Sequence, residues 1–353
     1  MNIAINKTAQ PKPKPDENSL GFGKYFTDHM LVCDYDRATG WHDARIVPFG
    51  ELSIHPASTV LHYGSEIFEG MKAYRTPDGD VQLFRPIENA RRMNRSAERL
   101  GLPEMDENDL VELFKAIVTM DKDWVPHAPN TSLYIRPFMF GNDPHLGVHS
   151  INAAKLVIIL SPVGSYYKEG LNPVRITIET EDVRAVRGGT GYAKCGGNYA
   201  ASVRAGEKAE KLGFSQVLWL DGVERKYIEE VGSMNVMFKI GNEIVTPLLT
   251  GSVLPGITRK SCIELLKGWG LQVSERLLSA DELFAAAENG TLTEAWGTGT
   301  AAVVSPIGTL AIGGREYTIG DGGIGEITAK LFKVLTDIQW GRAKDTHGWT
   351  VKL

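Results

Sequence analysis

Apolar positions change period along the chain, and the period sets the elements. From Met30 the pattern is that of strands. MLVCDY and ARIVPF are two, and MKAYR–TPDGD–VQLFR reads as a hairpin, because Pro77, Asp78 and Gly79 supply turn chemistry between two runs. Helical spacing follows: Ile87, Ala90, Met93, Ala97 and Leu100 share one face, and Leu110, Leu113, Phe114, Ile117 and Val118 share another more strongly. Stretches 132–139 and 155–160 are again strand-like, so the first half reads as an α+β domain. SPVGSYYKEGLNPV, at 161–174, then collects Pro, Gly and Asn and is the expected interdomain connection. Beyond it VRITIE, QVLWLD and MNVMFK alternate with helical stretches at 199–211, 259–269 and 324–339. The last carries Ile324, Ile327, Leu331, Leu335 and Ile338 on one face. Residues 2–20 are polar, rich in Pro and Lys, and are expected to bury nothing.

Length sharpens this into two domains, since 353 residues exceed one domain of about 150. The expected division is a mobile tail at 1–20, a small α+β domain at 21–162, a connection at 163–174 and a larger domain at 175–353. A net charge of -5 and a pI near 6.0 leave no electrostatic footprint for nucleic acid or an anionic membrane. Cys33, Cys195 and Cys262 lie far apart with no CxxC, which argues against a disulfide framework and a thiolate zinc site. The longest apolar runs, such as 156–160, are about a quarter of a membrane span. No apolar h-region precedes Asp16, so the expected location is the cytoplasm.

Candidate chemistry concentrates in two nearly charge-free stretches. GGTGYAKCGGNYAASV, at 188–203, holds a single charge, Lys194, among small and apolar neighbours. Such a lysine is a candidate for a lowered pKa and amine nucleophilicity, the alternative being a surface lysine in a glycine-rich loop. A Walker A loop is excluded, because Ala193 and Cys195 flank the lysine instead of Gly and Ser or Thr. AWGTGTAAVV, at 295–304, places Gly297-x-Gly299-x-x-Ala302 in the dinucleotide pattern, with Asp321 about twenty residues on. Pro306 and Gly308 forbid the helix that pattern requires, which weakens a nicotinamide dehydrogenase reading. A backbone anion loop stays open there.

Weaker signals sit elsewhere. Pro255-Gly256 precedes a helix whose first amides, near Ile257 and Thr258, form a generic phosphate site. Arg91, Arg95 and Arg99 read as a solvated stripe, whereas Arg92 lies about 100° off it and can point inward. Alternation through YIEEVGSMN buries one of Glu229 and Glu230. His145 and His149 have a helical metal spacing, but Pro144 and Gly147 make the segment a loop and no acid stands between them. No metal is expected there.

Taken in order, LHYGSEIFEGMKAYR, LFRPIENARRMNRSAERL, SLYIRPFMFGNDPHLGV, GGTGYAKCGGNY, EEVGSMN, LPGITR and WGTGTAAV, spanning 61–303, resemble the branched-chain amino acid aminotransferases. The resemblance runs from about Gly21 to the C-terminus. It implies a two-domain α+β and α/β enzyme of pyridoxal-phosphate fold type IV, the D-amino acid aminotransferase-like fold, with its active site at the domain interface. Lys194 would carry pyridoxal 5′-phosphate and shuttle the substrate proton, Glu230 would pair with the pyridine nitrogen, and Tyr199 would meet the ring oxygen. Arg92, Ile257, Thr258 and Thr300 would bind the phosphate. Tyr63, Phe68, Tyr134, Leu146, Val148 and Tyr166 would shape the substrate pocket, with Ser233 and Ala301 near the α-carboxylate and Arg136 taking the distal carboxylate of glutamate. The implied partners are amino acids, 2-oxo acids and a second copy of the chain, whose 146–148 loop and Tyr63 would close the neighbouring site. Another fold type IV enzyme, or a non-catalytic pyridoxal-phosphate carrier, is the nearest alternative. Ala302 and Ser305 stand where some animal members carry a redox-sensitive CxxC.

Overall fold

A computed structural model describes residues 1–164 and 171–353, which fall into two compact units. Among the described residues the first comprises 1–164, 193–196 and 337–353, and the second 171–192 and 197–336.

The first unit is a nine-stranded sheet, counted among the described residues, with helices on it. Its elements in chain order begin with β1 (Ala4–Ile5), β2 (His29–Asp36), β3 (Gly40–Pro48), α1 (Thr59–Tyr63), β4 (Glu66–Phe68), β5 (Met71–Arg75) and β6 (Val81–Phe84). They continue with α2 (Pro86–Leu100), α3 (Glu107–Met120), β7 (Ser132–Gly141) and β8 (Ala153–Val163). The expected hairpin is β5–β6, antiparallel, with Gly79 at φ +85° in its turn. Pro86 opens α2 where its missing N–H costs nothing, and the left-handed Gly101 closes it with its N–H on the Ala97 and Glu98 carbonyls. Asp106 caps α3 by accepting from the Asn108 and Asp109 amides. Ala90, Met93 and Ala97 of α2 and Leu110, Leu113, Phe114, Ile117 and Val118 of α3 are buried in one core with Leu31, Ile67, Leu83 and Ile135 of the sheet.

The second unit is another nine-stranded sheet on the same count. It is built from β9 (Val174–Ile178), α4 (Gly196–Ala200), α5 (Val203–Lys211), β10 (Gln216–Leu220), β11 (Ile228–Val231), β12 (Asn235–Ile240) and β13 (Glu243–Pro247). These are followed by α6 (Ile257–Gly268), β14 (Gln272–Arg276), α7 (Ala280–Glu288), β15 (Leu292–Gly299), β16 (Val303–Ile312), β17 (Arg315–Thr318) and α8 (Glu326–Gln339). Parallel β9–β10 and β9–β16 pairs sit beside antiparallel β12–β15 and β15–β16 pairs, so the sheet is mixed.

Three expectations about the division differ from the structure. Lys194, assigned to the second domain, lies in the tetrapeptide 193–196 of the first unit: its carbonyl accepts from Phe68 N at 2.9 Å and its amide donates to Ser96 Oγ at 2.9 Å. Residues 337–353 also belong to the first unit, because β18 (Thr350–Lys352) pairs antiparallel with β6. The expected tail does bury surface. β1 adds to β3 in parallel register, and Leu20 is 1% exposed, so the polar run ends on an apolar anchor that its composition hid.

Candidate active site

In the first unit, hydrogen bonds to Phe68 and Ser96 fix the Lys194 backbone, and the amine lies 4.8 Å from the Phe68 ring centroid. Burial, reinforced by the Arg92 charge, lowers that amine to about 8. Arg92 does point inward, at 4% exposure, and grips the buried Glu69 through Nε at 2.7 Å and Nη2 at 2.9 Å. Asn89 Nδ2 adds a third donor to Glu69 at 2.7 Å. Desolvation pushes the Glu69 carboxyl up, but Arg92 and Asn89 outweigh it and hold the group below its ordinary range.

Tyr134 and Arg136 leave β7 on the same side of the strand, two residues apart. The Tyr134 hydroxyl sits where a Cβ on Gly70 would lie 2.0 Å away, so Gly70 leaves room for the phenol. Arg136 Nη2 donates to that hydroxyl at 3.1 Å, and the guanidinium stacks 4.8 Å from the Phe68 centroid. Arg136 Nε is buried and has no hydrogen-bond partner among the described residues. Glu66, half-buried, accepts from Gly196 N, and burial raises its carboxyl.

In the second unit, Glu230 on β11 is 3% exposed, its Oε1 accepting from Leu254 N at 2.7 Å and lying 3.2 Å from Arg184 Nη2. Glu229 is 5% exposed, so both carboxylates are buried where alternation expected one. The reason is that each has its own partner: Ser252 Oγ donates to Glu229, whose Oε2 has no partner among the described residues, and desolvation raises that carboxyl. The α6 N-terminus begins at Gly256, with neither a capping side chain nor an acid in its first turn. Asn235 Nδ2 donates to Leu254 O at 2.8 Å, and its Oδ1 would lie 1.9 Å from a Cβ on Gly256, so glycine is required for contact and not for φ. Thr300 and Ala301 form the turn between β15 and β16, beside Val303, held at φ +62°, a strained conformation for a β-branched residue. Tyr199 is on α4, and Ser233 is exposed in the β11–β12 turn.

Of the expected substrate residues, Phe68, Tyr134 and Arg136 cluster around Lys194. Tyr63, Leu146 and Val148 stand away from any core at 44%, 64% and 87% exposure, and Tyr63 Oη accepts from Gly147 N at 2.8 Å. Tyr166 lies outside the described residues. Glu69, Arg184 and Asn235 escaped the sequence reading. Glu69 lies in LHYGSEIFEGMKAYR and Asn235 in EEVGSMN with no signal of their own, and nothing in EDVRAVRGG distinguishes Arg184.

The family model for amino-transferase class IV matches residues 66–310. Branched-chain-amino-acid aminotransferase 2 of Bacillus subtilis is 56% identical over 353 residues, covering 100% of this chain and 97% of that protein. Among solved structures, the Escherichia coli branched-chain amino acid aminotransferase superposes with a TM-score of 0.76 at 26% identity, covering 92% of this chain and 98% of that one. The Thermoproteus uzoniensis branched-chain aminotransferase with norvaline does so with a TM-score of 0.74 at 26% identity, over 92% and 99% of the two chains. A third such aminotransferase, complexed with N-(5′-phosphopyridoxyl)-L-glutamate, reaches a TM-score of 0.74 at 27% identity, over 91% and 97%. An inward arginine, an amine held near neutrality and a paired buried carboxylate thus occur in a chain that belongs to the class IV aminotransferase family.

Proposed function

We propose that this chain transfers the amino group between L-leucine, L-isoleucine or L-valine and 2-oxoglutarate, using pyridoxal 5′-phosphate. The donor set suits that cofactor: a lysine amine lowered to about 8, a buried Glu230, a Tyr199 phenol, and an α6 N-terminus left uncapped by Gly256. When bound, the cofactor supplies an electron sink for the substrate α-carbon. Lys194 would hold it through its amine, and Nζ, when free, would take and return the α-proton. Glu230 would meet the pyridine nitrogen, with the Leu254 amide and Arg184 fixing its carboxylate. The Ile257 and Thr258 amides and Thr300 would take the phosphate, as would Arg92, which Glu69 orients.

Arg136 carries the substrate argument. It has a buried, unpartnered Nε and no carboxylate salt bridge among the described residues, beside the Phe68 and Tyr134 rings. The rings suit an aliphatic side chain by apolar burial at about 25 cal/mol per Å², and the guanidinium suits the distal carboxylate of a dicarboxylic partner. Ser233 and Ala301 would serve the α-carboxylate. The chain works as a homodimer in the cytoplasm. Exposed Leu61, Tyr63, Leu146 and Val148 support a partner copy, and three buried free thiols suit a reducing compartment.

A donor panel with 2-oxoglutarate tests the activity, and Arg136→Ala tests the switch. Single-turnover rates with glutamate should fall about a hundredfold, with far smaller losses for leucine. Equal losses would assign Arg136 a structural role instead.

A further inference from the structure

Between β7 and β8 the chain runs Asp143-Pro144-His145-Leu146-Gly147-Val148-His149. It is a loop, and Gly147 at φ +115° provides a backbone conformation that a side chain would oppose. The turn brings the His145 and His149 rings to a centroid separation of 4.2 Å. Asp143 is 3% exposed, its carboxylate held by the Asn152 amide at 3.1 and 3.2 Å and by Asn152 Nδ2 at 3.2 Å. One ligand atom from each of Asp143, His145 and His149 lies within 4.8 Å of the other two.

The tautomer of the neutral His149 ring is set by its neighbour. Its Nδ1 lies 2.9 Å from the Ser150 carbonyl, which can only accept, so Nδ1 bears the hydrogen and Nε2 presents a lone pair. That Nε2 is buried and has no hydrogen-bond partner among the described residues. A buried acceptor left unmet is costly, and an imidazole whose far nitrogen donates to a carbonyl is arranged as metal-ligating histidines are.

We propose that Asp143, His145 and His149 form a site for a divalent transition cation of the zinc class, which ties down the 143–149 loop. Two imidazoles and one carboxylate suit zinc-like ions and not magnesium or calcium, and water would complete the coordination. Bonds of about 2.0–2.2 Å set tetrahedral ligands about 3.3 Å apart, so the three atoms must draw in by on the order of 1.5 Å. Exposed His145 is free to make that movement, while Asp143 is anchored by Asn152. No acid stands between the histidines; Asp143 stands before both, and a loop rather than a helix gathers them. Leu146 and Val148 lie between the ligands, so the cation would fix their exposed side chains.

The test uses the full chain without a histidine tag, loaded with pyridoxal phosphate, stripped with chelator, and titrated with zinc chloride by calorimetry. No amino acid is present, because amino acid and cofactor together chelate zinc. We expect one zinc per chain, weakened at least tenfold in both His145→Ala and His149→Ala and unchanged in His127→Ala. Hydrogen exchange at the 145–149 amides should slow on zinc addition in the wild type and not in His149→Ala. Absence of a saturable equivalent, or unaltered affinity in both loop variants, overturns the site. Stoichiometric binding without slowed exchange overturns the clamp. Because His145 is exposed, His145→Ala keeps the test valid if His149→Ala fails to fold, as judged by circular dichroism.

Discussion

Lys194 pairs a chemical need with a thermodynamic cost. Its amine is lowered from 10.5 to about 8, first by burial and then by Arg92. Below about pH 8 the folded chain carries a charge its surroundings oppose, a penalty on the order of 3 kcal/mol. Between about 8 and 10.5 the unfolded chain binds a proton that the folded chain lacks, so stability climbs with pH through that window. In cofactor-free protein, Lys194→Met should therefore be more stable than wild type at pH 7, with the gap closing as pH rises through the window. Urea unfolding at several pH values measures this, and the same variant should have no detectable transamination. Glu69→Gln removes the ionic partner of a buried arginine and should cost about 3 kcal/mol while loosening cofactor binding, read by equilibrium unfolding and cofactor titration. The sequence made Lys194 legible because isolation from other charges is a one-dimensional property. The Glu69–Arg92 pair was half legible: helical phase turned Arg92 inward, but its partner lies 23 residues away across the fold. Glu229 defeated alternation because Ser252, equally distant in sequence, supplies a donor that no period reveals.

Elements with strong periods were read well, and short ones were not. The α3 face matches the positions its spacing names, and α2 does so at Ala90, Met93 and Ala97, while Leu100 is only partly buried and Ile87, in the first turn, is half-buried. β18, three residues long, carries no alternation to read and is recognisable only by its register with β6. The α6 N-terminus depends on a contact that no local pattern encodes. Gly256 has φ -69°, which alanine adopts without strain, yet an added Cβ would meet Asn235 Oδ1 at 1.9 Å. Gly256→Ala should shift the opening of α6 and weaken cofactor affinity by about tenfold, one good hydrogen bond's worth, with little loss of helix content. Asn235→Ala makes the space and should partly rescue the double variant. Fluorescence titration of the cofactor distinguishes these outcomes.

At the scale of the whole molecule, the proposed dimer makes a prediction about mixtures. Val148→Asp and Lys194→Ala should each be inactive alone, the first by placing an unpaired charge in an apolar pocket. If Val148 serves the partner's site, a hybrid dimer rebuilds one intact site, and co-expression restores up to half of wild-type activity per hybrid. No recovery, with hybrids confirmed by differential tags, would show that each loop serves its own chain. The resemblance alone points to Val148 in the sequence, since a valine in a loop carries no periodic signal; its 87% exposure is what the fold adds.

The place of β18 also bears on how the protein is made. Leu83 of β6 is fully buried, with Val351 of β18 as its register partner, yet the residues of the second unit are translated between the two. At about 5–20 residues per second, the nascent β6 waits tens of seconds with one edge unpaired. During that interval the first sheet is an open template for strands of other chains. Holding that edge until β18 leaves the ribosome is a task for chaperones, and slowed translation of the second unit should raise aggregation of newly made chains without altering the finished fold.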